Sequence, residues 1–485
     1  MPLHTMQVVG RLEIPYRAHS RKFKCDSVFL QYAKKLGIQI PGLYQHFSEQ
    51  HIETYYQRKK GVLKYDQQVP DLVFDAQAAT FADAFLDSTI GPFVRGWDVL
   101  HPDHITTVRS SSPGFPFDLT YFNKGEVYDQ HDFDQSWIDL AKPEDYFCLW
   151  SCFIKQELLP LDKIAAREAR IVLVPPADFA QMQARLSQDF NRRMNSAPKS
   201  TSWNMLGFNK FSGGFQTLAQ KLPRKFLIHP GDVSAYDAKL HTNLRLCALR
   251  FRLRMAKEKS KDFVMRMINM YKTCTVSYIL MPDGFVLLKF HGMDSGDINT
   301  SNDDSLCHAW FWAYIYCVDI SSSLSQFAKQ VVLNIYNDDN CHFIHPNVAS
   351  VWTVERLTSW YKKFGWDYKD AEYHTTLEGV TFLGSKFHKL HDTFVPVGDF
   401  EKSLDSLTWP GRNEIPKGFS LLRVIAIYIN CFYHPKAYLL RQIIDSYVRD
   451  GIKPSGTAKE LRELKVHIDY VPTDQLIRKW YSGAE

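Results

Sequence analysis

Hydrophobic positions recur along this chain with two periods, and their alternation sketches its elements. Leu306, Ala309, Trp310, Ala313 and Cys317 follow a 3.6-residue spacing, which predicts a helix opened by the loop Gly292 to Gly296. A second helical pattern runs from Ala238 to Lys259. Two more, Leu421 to Tyr433 and Ala437 to Val448, mark a largely helical end of the chain beyond Pro396. Extended runs are expected at Phe147 to Ile154 and Phe226 to His229. Val331 to Tyr336 and Cys341 to Ile344, separated by Asn337 to Asn340, form a hairpin signal. The first hundred or so residues mix short patterns, with a basic and aromatic cluster at Tyr55, Tyr56, Arg58, Lys59 and Lys60, and carry no usable motif. No internal repeat is present, and Ser321 to Ser325 is the single biased stretch.

Composition narrows the classes. Of 485 residues, 45% are apolar and 23% charged, which excludes a disordered or collagen-like chain. At roughly 150 residues per domain, three domains or one large enzyme built of subdomains is expected. The longest apolar stretches, Ala309 to Val318 and Leu421 to Tyr433, fall short of the roughly 20 residues that cross a bilayer, and the N-terminus lacks a signal-peptide apolar run, so a soluble chain is expected. The net charge of +5 suits a polyanionic partner without identifying one. Nine cysteines, scattered from Cys25 to Cys431 without paired C-x-x-C arrays, read as reduced thiols. Cys148 and Cys152 lie close, but lack two further ligands for zinc.

Candidate chemistry concentrates in carboxylates. In VVLNIYNDDNCHFI, Asp338 and Asp339 fall together at a predicted hairpin tip, where neighbouring negative charges repel unless a cation binds. An Asx turn capping its own backbone is the simpler alternative. A second acidic centre, GDVSAYDAKL, places Asp232 after a short extended run and Asp237 where a helical pattern begins. Asp237 there could simply complement a helix dipole. If the Asp232 strand lies beside the hairpin, Asp232 and Asp338 could together hold two Mg²⁺ ions suited to in-line phosphoryl transfer.

Asp-x4-Asp, then Ser-Gly-x3-Thr, then an Asp-Asp hairpin resembles palm motifs A, B and C of RNA-dependent RNA polymerases from positive-strand RNA viruses, particularly the picornavirus-like group. Upstream, SSPGFPF looks like motif G and FIKQELLPLDKIAAREARIVL like motif F; downstream, VTFLGSKF resembles motif E. The blocks are in order and span Arg109 to Lys389. The resemblance implies an α+β right-hand polymerase with a small antiparallel palm sheet. Its parts would be an N-terminal fingers extension (1–108) bridging fingers and thumb, fingers (109–225), palm (226–395, with a fingers insertion near 255–290) and thumb (396–485).

It also implies roles. Asp232 and Asp338 would hold two Mg²⁺ ions, with Mn²⁺ as an alternative, and Asp339 would assist; Lys369 would be the general acid, with Lys362 and Lys363 nearby. Lys155, Lys163 and Arg170 of motif F, a basic strand, would meet the triphosphate, with Arg167 as a further cation. Asp237, Ser295 and Thr300 would read the ribose 2′-hydroxyl. Asp304 stands where the family has Asn, and shares a helix face with Thr300, while Asn302 points elsewhere. Asp304 and Asp237 would repel unless a proton, cation or base intervenes. Ser112, Gly114, Pro116 and Gly296 would shape the template path, and Lys386 would contact the primer.

Two more departures stand out. Asn337 replaces the usual Gly before the Asp pair, and Pro230 and Gly231 precede Asp232, which suggests a bulge or sheet edge. Asp338 is expected at a hydrated tip. Tyr336 to Asp339 also spells the Tyr-x-Asp-Asp of reverse transcriptases, but Asp237 and Ser295-Gly296 differ from their usual aromatic residue and Gln-Gly. A non-enzymatic nucleic-acid-binding viral protein is the other alternative. Partners implied by the resemblance are RNA template, primer and product, NTPs, and other viral replication proteins or a protein primer. Its implied location is host cytoplasm, within membrane-associated replication complexes.

Overall fold

The computed structural model describes residues 3–13, 24–46, 60–144, 146–155, 157–166, 168, 170–369, 372–411, 415–464 and 468–483. Arg167, one of the expected nucleotide-binding cations, and Tyr55 to Lys59 lie outside them. In chain order the strands are β1 (Gln7–Arg11), β2 (Tyr44–His46), β3 (Leu149–Ile154), β4 (Leu158–Pro160), β5 (Ile171–Val174), β6 (Leu227–Ser234), β7 (Ser277–Leu280), β8 (Phe285–Lys289), β9 (Val331–Val332), β10 (Ile335–Tyr336), β11 (Asp339–Ile344), β12 (Asp367–Lys369), β13 (Thr381–Phe382), β14 (Ser385–Leu390) and β15 (Thr393–Gly398). They form small sheets among many helices, a mixed α/β architecture.

The sheet that positions the acidic residues has the order β10-β11-β6-β12, with β9 also on β11. Period-two alternation gives β6 and β11 two buried faces. His229 and His342 face the helix Thr300–Asp319, where Trp312 meets the His342 ring at 4.5 Å. Ile228, Cys341 and Phe343 face the other way, into a cluster with Phe382 and Phe387. The helix is buried along nearly its whole length, because a sheet covers one side and the helix Ala76–Thr89 another.

Several expectations change. The helix expected from Ala238 to Lys259 begins at Thr242 and ends at Met255, so Asp237 lies in the turn before it and not in its first turn. The hairpin turn shrinks to Asn337 and Asp338, since Tyr336 pairs with Asp339. On the β11 side Pro230 leaves the register unbroken from Leu227 to Gly231, but on the other side the pairing slips by one residue across it, Asp232 lying opposite Lys369 and Ile228 opposite His374, as expected of Pro in a strand. The Ile228 amide points to the β12 side and donates to His374 O at 2.8 Å. Pro230, two residues on, turns its nitrogen to the same side, away from the unbroken β11 ladder. Gly231 leaves room for the Tyr368 ring, which a side chain there would strike.

A second sheet, β1-β8-β7-β3-β5, joins the segments on either side of β6. The N-terminal hundred residues are shared out rather than forming one unit. β1 lies on β8, while the helix Ser27–Lys35 packs with the C-terminal helices Lys417–Asn430 and Ala437–Arg449, pinned by the Asp26–Arg423 ion pair at 3.0 Å. The helix Ala76–Thr89 enters the main core. No helix of the described residues is long and apolar enough to cross a membrane.

Beneath the acidic end lies a layer of uncharged histidines. His229 bonds Tyr368 Oη at 2.7 Å and Glu372 O at 3.1 Å, and burial holds its pKa down at about 4. The unfolded chain takes up that proton near pH 6.5, so between about 6.5 and about 4 protonation favours unfolding. His229→Gln should therefore destabilise at pH 7.5. Relative to the unmodified chain, it should recover about 1.4 kcal/mol for each pH unit below 6.5. Urea unfolding of both proteins from pH 7.5 to 4.5 tests this; parallel stability profiles would contradict it.

Candidate active site

The acidic residues meet where β6 and β11 end. Gly231 is opposite Asn340, so continuing the register sets Asp339 opposite Asp232, with Asp338 in the adjoining turn. Asp232 is exposed, whereas Asp338 and Asp339 are half-buried, so the expected hydrated tip is in fact partly enclosed. Burial, followed by repulsion from Asp232 and Asp237, raises the Asp338 pKa, and Arg170 opposes the rise. Burial lifts Asp339 to about 7, with Asp338 and Asp232 adding to the rise, although the Leu383 amide donates to Oδ2 at 2.9 Å. Leu383 lies in the β13–β14 turn of VTFLGSKF, so this hairpin grips the second Asp of the pair.

Asn337 explains itself in the structure. Its φ of +58° is a left-handed conformation that Asn tolerates better than most residues. Its amide donates to Ser305 Oγ at 3.0 Å, its side chain reaches Ser301 Oγ at 3.4 Å, and its carbonyl meets His308 Nδ1 at 3.0 Å. The turn is thus sewn to the helix Thr300–Asp319 by contacts, one of which Gly could not make.

Asp304 comes up from that helix. Thr300 opens it, accepted by the carbonyls of Asp294 and Asp297, each at 2.8 Å. Asn302 turns away to Asn195, Nδ2 to Oδ1 2.9 Å. Asp304 is buried and its Oδ1 has no hydrogen-bond partner. Burial, then Asp237 and Asp338, push its pKa well above the carboxylate range, which favours the neutral acid. A protonated carboxyl offers one donor and one acceptor, the same inventory that an Asn amide would present.

Three neighbouring acids each have a buried cation beside them. Lys289 pairs with Asp294 at 3.0 Å, Arg245 with Asp297 at 3.2 Å and Arg252 with Asp303 at 2.7 Å. Ser277 donates to Asp294 at 2.6 Å and Tyr271 to Asp303 at 2.7 Å. These pairs hold the loop that carries Ser295 and Gly296. Ser295 Oγ donates to Ile171 O at 3.3 Å, and Gly296 lies so close to Leu173 O that any side chain would collide. Gly114, at φ +70°, leaves 2.6 Å between a would-be Cβ and Pro175 O, and Phe115 N donates to Ser151 Oγ at 3.1 Å. The loop with Ser112, Gly114 and Pro116, the strand β5 and the Ser295 loop are therefore one packed assembly.

The basic segment is not a single strand: β4, a short helix Leu161–Ala165 and β5 divide it. Lys155 and Arg170 share Glu157, at 3.5 and 3.4 Å. Arg170 lies within electrostatic reach of Asp338, whereas no described contact ties exposed Lys163 to the acidic cluster. Lys369 stands opposite Asp232 on β12, both exposed, and Lys386 is exposed on β14. Lys362 and Lys363 close the helix Val354–Lys363 instead. No group of three His, Cys, Asp or Glu among the described residues forms a ready metal cage.

Sequence reasoning missed Lys64. Its Nζ lies 3.2 Å from Asp237 Oδ2, across 173 residues of chain, in a segment without any motif. Leu383 and the buried cations Lys289, Arg245 and Arg252 were likewise silent, since only their contacts distinguish them.

The sequence model of the viral RNA-dependent RNA polymerase family matches residues 41–447. The chain belongs to that family. The reverse-transcriptase and non-enzymatic readings give way to it. It is similar to genome polyproteins of plant viruses. With that of Beet mosaic virus it is 26% identical over 349 residues, 69% of this chain and 11% of the polyprotein. With that of Bean common mosaic necrosis virus (strain NL-3) it is 26% identical over 269 residues, 55% of this chain and 8% of the polyprotein. Plum pox potyvirus (strain Rankovic) gives 26% over 272 residues, 55% of this chain and 8% of the polyprotein. The chain thus spans about a tenth of the length of these relatives.

The buried pairs imply a measurable asymmetry. Asp294→Ala strands the Lys289 ammonium, which is fully buried, and should cost the polymerase about 3–5 kcal/mol in urea unfolding. The double replacement Asp294→Ala with Lys289→Met should recover much of that loss; a single-mutant cost below about 1 kcal/mol would contradict this electrostatic frame.

Proposed function

We propose that this polymerase transfers nucleoside monophosphates from NTPs to an RNA 3′ end, with Asp232 and Asp338 as its metal-holding carboxylates and Asp339 assisting. The convergence of these three at the ends of β6 and β11 carries the reading. The donor set suits Mg²⁺, a hard ion held by one or two carboxylates plus water and phosphate oxygens rather than by an all-protein cage. The raised pKa values of Asp338 and Asp339 fit the same view, because a cation would relieve the repulsion that now favours their protonated forms. When bound, such ions acidify the primer 3′-hydroxyl and neutralise charge on the triphosphate.

The chain's own residues supply the rest. Arg170 and Lys155 draw the triphosphate toward the acidic end, with Lys163 and Arg167 as further cations of the same segment. Lys369, beside Asp232 on the same sheet face, is the proton donor to departing pyrophosphate. Asp237, Ser295, Thr300 and neutral Asp304 surround the ribose; a neutral acid at 304 restores the donor that Asn would provide. The packed loops at Gly114 and Gly296 form the template entrance. A cavity of about 1140 Å³ beside Tyr336 and Leu383, walled by Trp409, Arg423 and Trp480, receives the new strand. Lys386, exposed on β14, contacts the primer backbone.

On this reading the sheet β10-β11-β6-β12 is the palm and the C-terminal helices the thumb. The sheet β1-β8-β7-β3-β5 belongs to the fingers, including the insertion near 255–290. Family membership supports work in the host cytoplasm on membrane-associated replication complexes, alongside other viral replication proteins or a protein primer.

Primer extension by the purified chain should require an RNA template, prefer NTPs to dNTPs and need Mg²⁺ or Mn²⁺. Asp338→Asn should lower incorporation about a thousandfold or more while leaving the urea midpoint unchanged or higher, since it removes a repelled charge. Substantial extension by folded Asp338→Asn would overturn the assignment.

A further inference from the structure

Asp237 stands among acids, and a single cation answers it. Among the described residues, Lys64 is the one basic side chain within ion-pair distance of any of Asp232, Asp237, Asp304, Asp338 and Asp339. Its Nζ meets Asp237 Oδ2 at 3.2 Å, while Oδ1 accepts the Ala238 amide at 2.8 Å. Both carboxylate oxygens are thereby held, each with a lone pair to spare.

Lys64 is itself fixed from both sides. Tyr65, fully buried, donates to Met293 O at 3.1 Å, beside the loop that carries Ser295. The buried carboxylate of Asp66 gathers the backbone amides of His4, Thr5 and Met6 at 2.7 to 2.9 Å. The Lys64 ammonium also rests 4.9 Å from the centre of the Tyr65 ring. A short 3₁₀ turn, Leu63–Tyr65, is thus clamped between the N-terminal residues and the Ser295 loop, with its cation directed at Asp237.

We propose that Lys64 is a specificity-determining positioning residue: its ammonium holds the Asp237 carboxylate in the orientation that accepts the ribose 2′-hydroxyl. The inference rests on the ribose role of Asp237 given above. Without Lys64, repulsion from Asp338 and the unfilled side of Oδ2 leave the carboxylate free to rotate, and ribonucleotides lose an acceptor that deoxynucleotides never used.

The test is single-nucleotide primer extension by the purified full chain, measuring kcat/KM for ATP and 2′-dATP. Lys64→Met should lower the ribo-to-deoxy preference about tenfold, mainly through KM for ATP, while Lys64→Arg keeps it within about twofold. In an Asp237→Asn background, Lys64→Met should alter the preference less than about twofold, because the group it acts through is gone. Should the Met variant fail to fold, Lys64→Gln, which keeps a donor but no charge, should give an intermediate preference. Equal losses for ATP and 2′-dATP, or a full effect in the Asp237→Asn background, would overturn the proposal and make Lys64 a triphosphate or scaffold contact. Absence of ribose preference in the unmutated chain would instead refute the role of Asp237, and this inference with it.

Discussion

Mutual repulsion among carboxylates is the constraint around which this molecule is arranged. Asp232, Asp237, Asp304, Asp338 and Asp339 converge at one end of a small sheet, and burial raises the cost of ionising the inner three. Three physical answers to that cost are visible. The neutral form of Asp304 is favoured by burial, Asp237 has Lys64, and Asp232 remains exposed to water. Asp338 and Asp339 have no basic partner at ion-pair distance among the described residues, so their repulsion is left uncompensated by the chain.

Rigidity beneath the acids comes from polar groups that carry no net charge there. His229, His308 and His342 are buried with lowered pKa values and share partners with Tyr368, Tyr361, Asn337 and Asn334. A charged layer at this depth would add to the field at the site; a neutral hydrogen-bonded one orients the strands without doing so. Next to it, Asp294, Asp297 and Asp303 are each matched by a buried cation, so the loop bearing Ser295 is fixed by pairs that are poor sources of net stability but demanding about geometry.

The departures from the family pattern are coupled through these same contacts. Asn337 occupies a left-handed turn and adds a side-chain tie to Ser301. Asp304, one turn along the same helix, replaces Asn by a carboxyl whose burial favours its protonated form. Pro230 is accommodated because its nitrogen faces away from the unbroken β11 ladder, and Gly231 because the Tyr368 ring needs the space above it. Each substitution is answered by a neighbour distant in sequence.

Much of the site was legible in the chain itself. Asp232, Asp338 and Asp339 stand in short motifs flanked by extended runs, and the spacing of Ser295, Thr300 and Asp304 is a property of one loop and one helix, so local order was enough to single them out as candidates. The hairpin and the long helices followed from hydrophobic period for the same reason. Local pattern failed at boundaries: Asp237 looked helical, yet Ala235, at φ +51°, lies in the turn that defers the helix to Thr242. It failed more fully wherever charge had to be compared with surroundings. Nothing in the residues around Lys64 distinguishes it from a surface lysine, and nothing in Asp304 tells whether it is ionised. Those properties belong to distances across 173 residues and to burial, which tertiary packing alone decides because electrostatic energy depends on position in space and on exclusion of water.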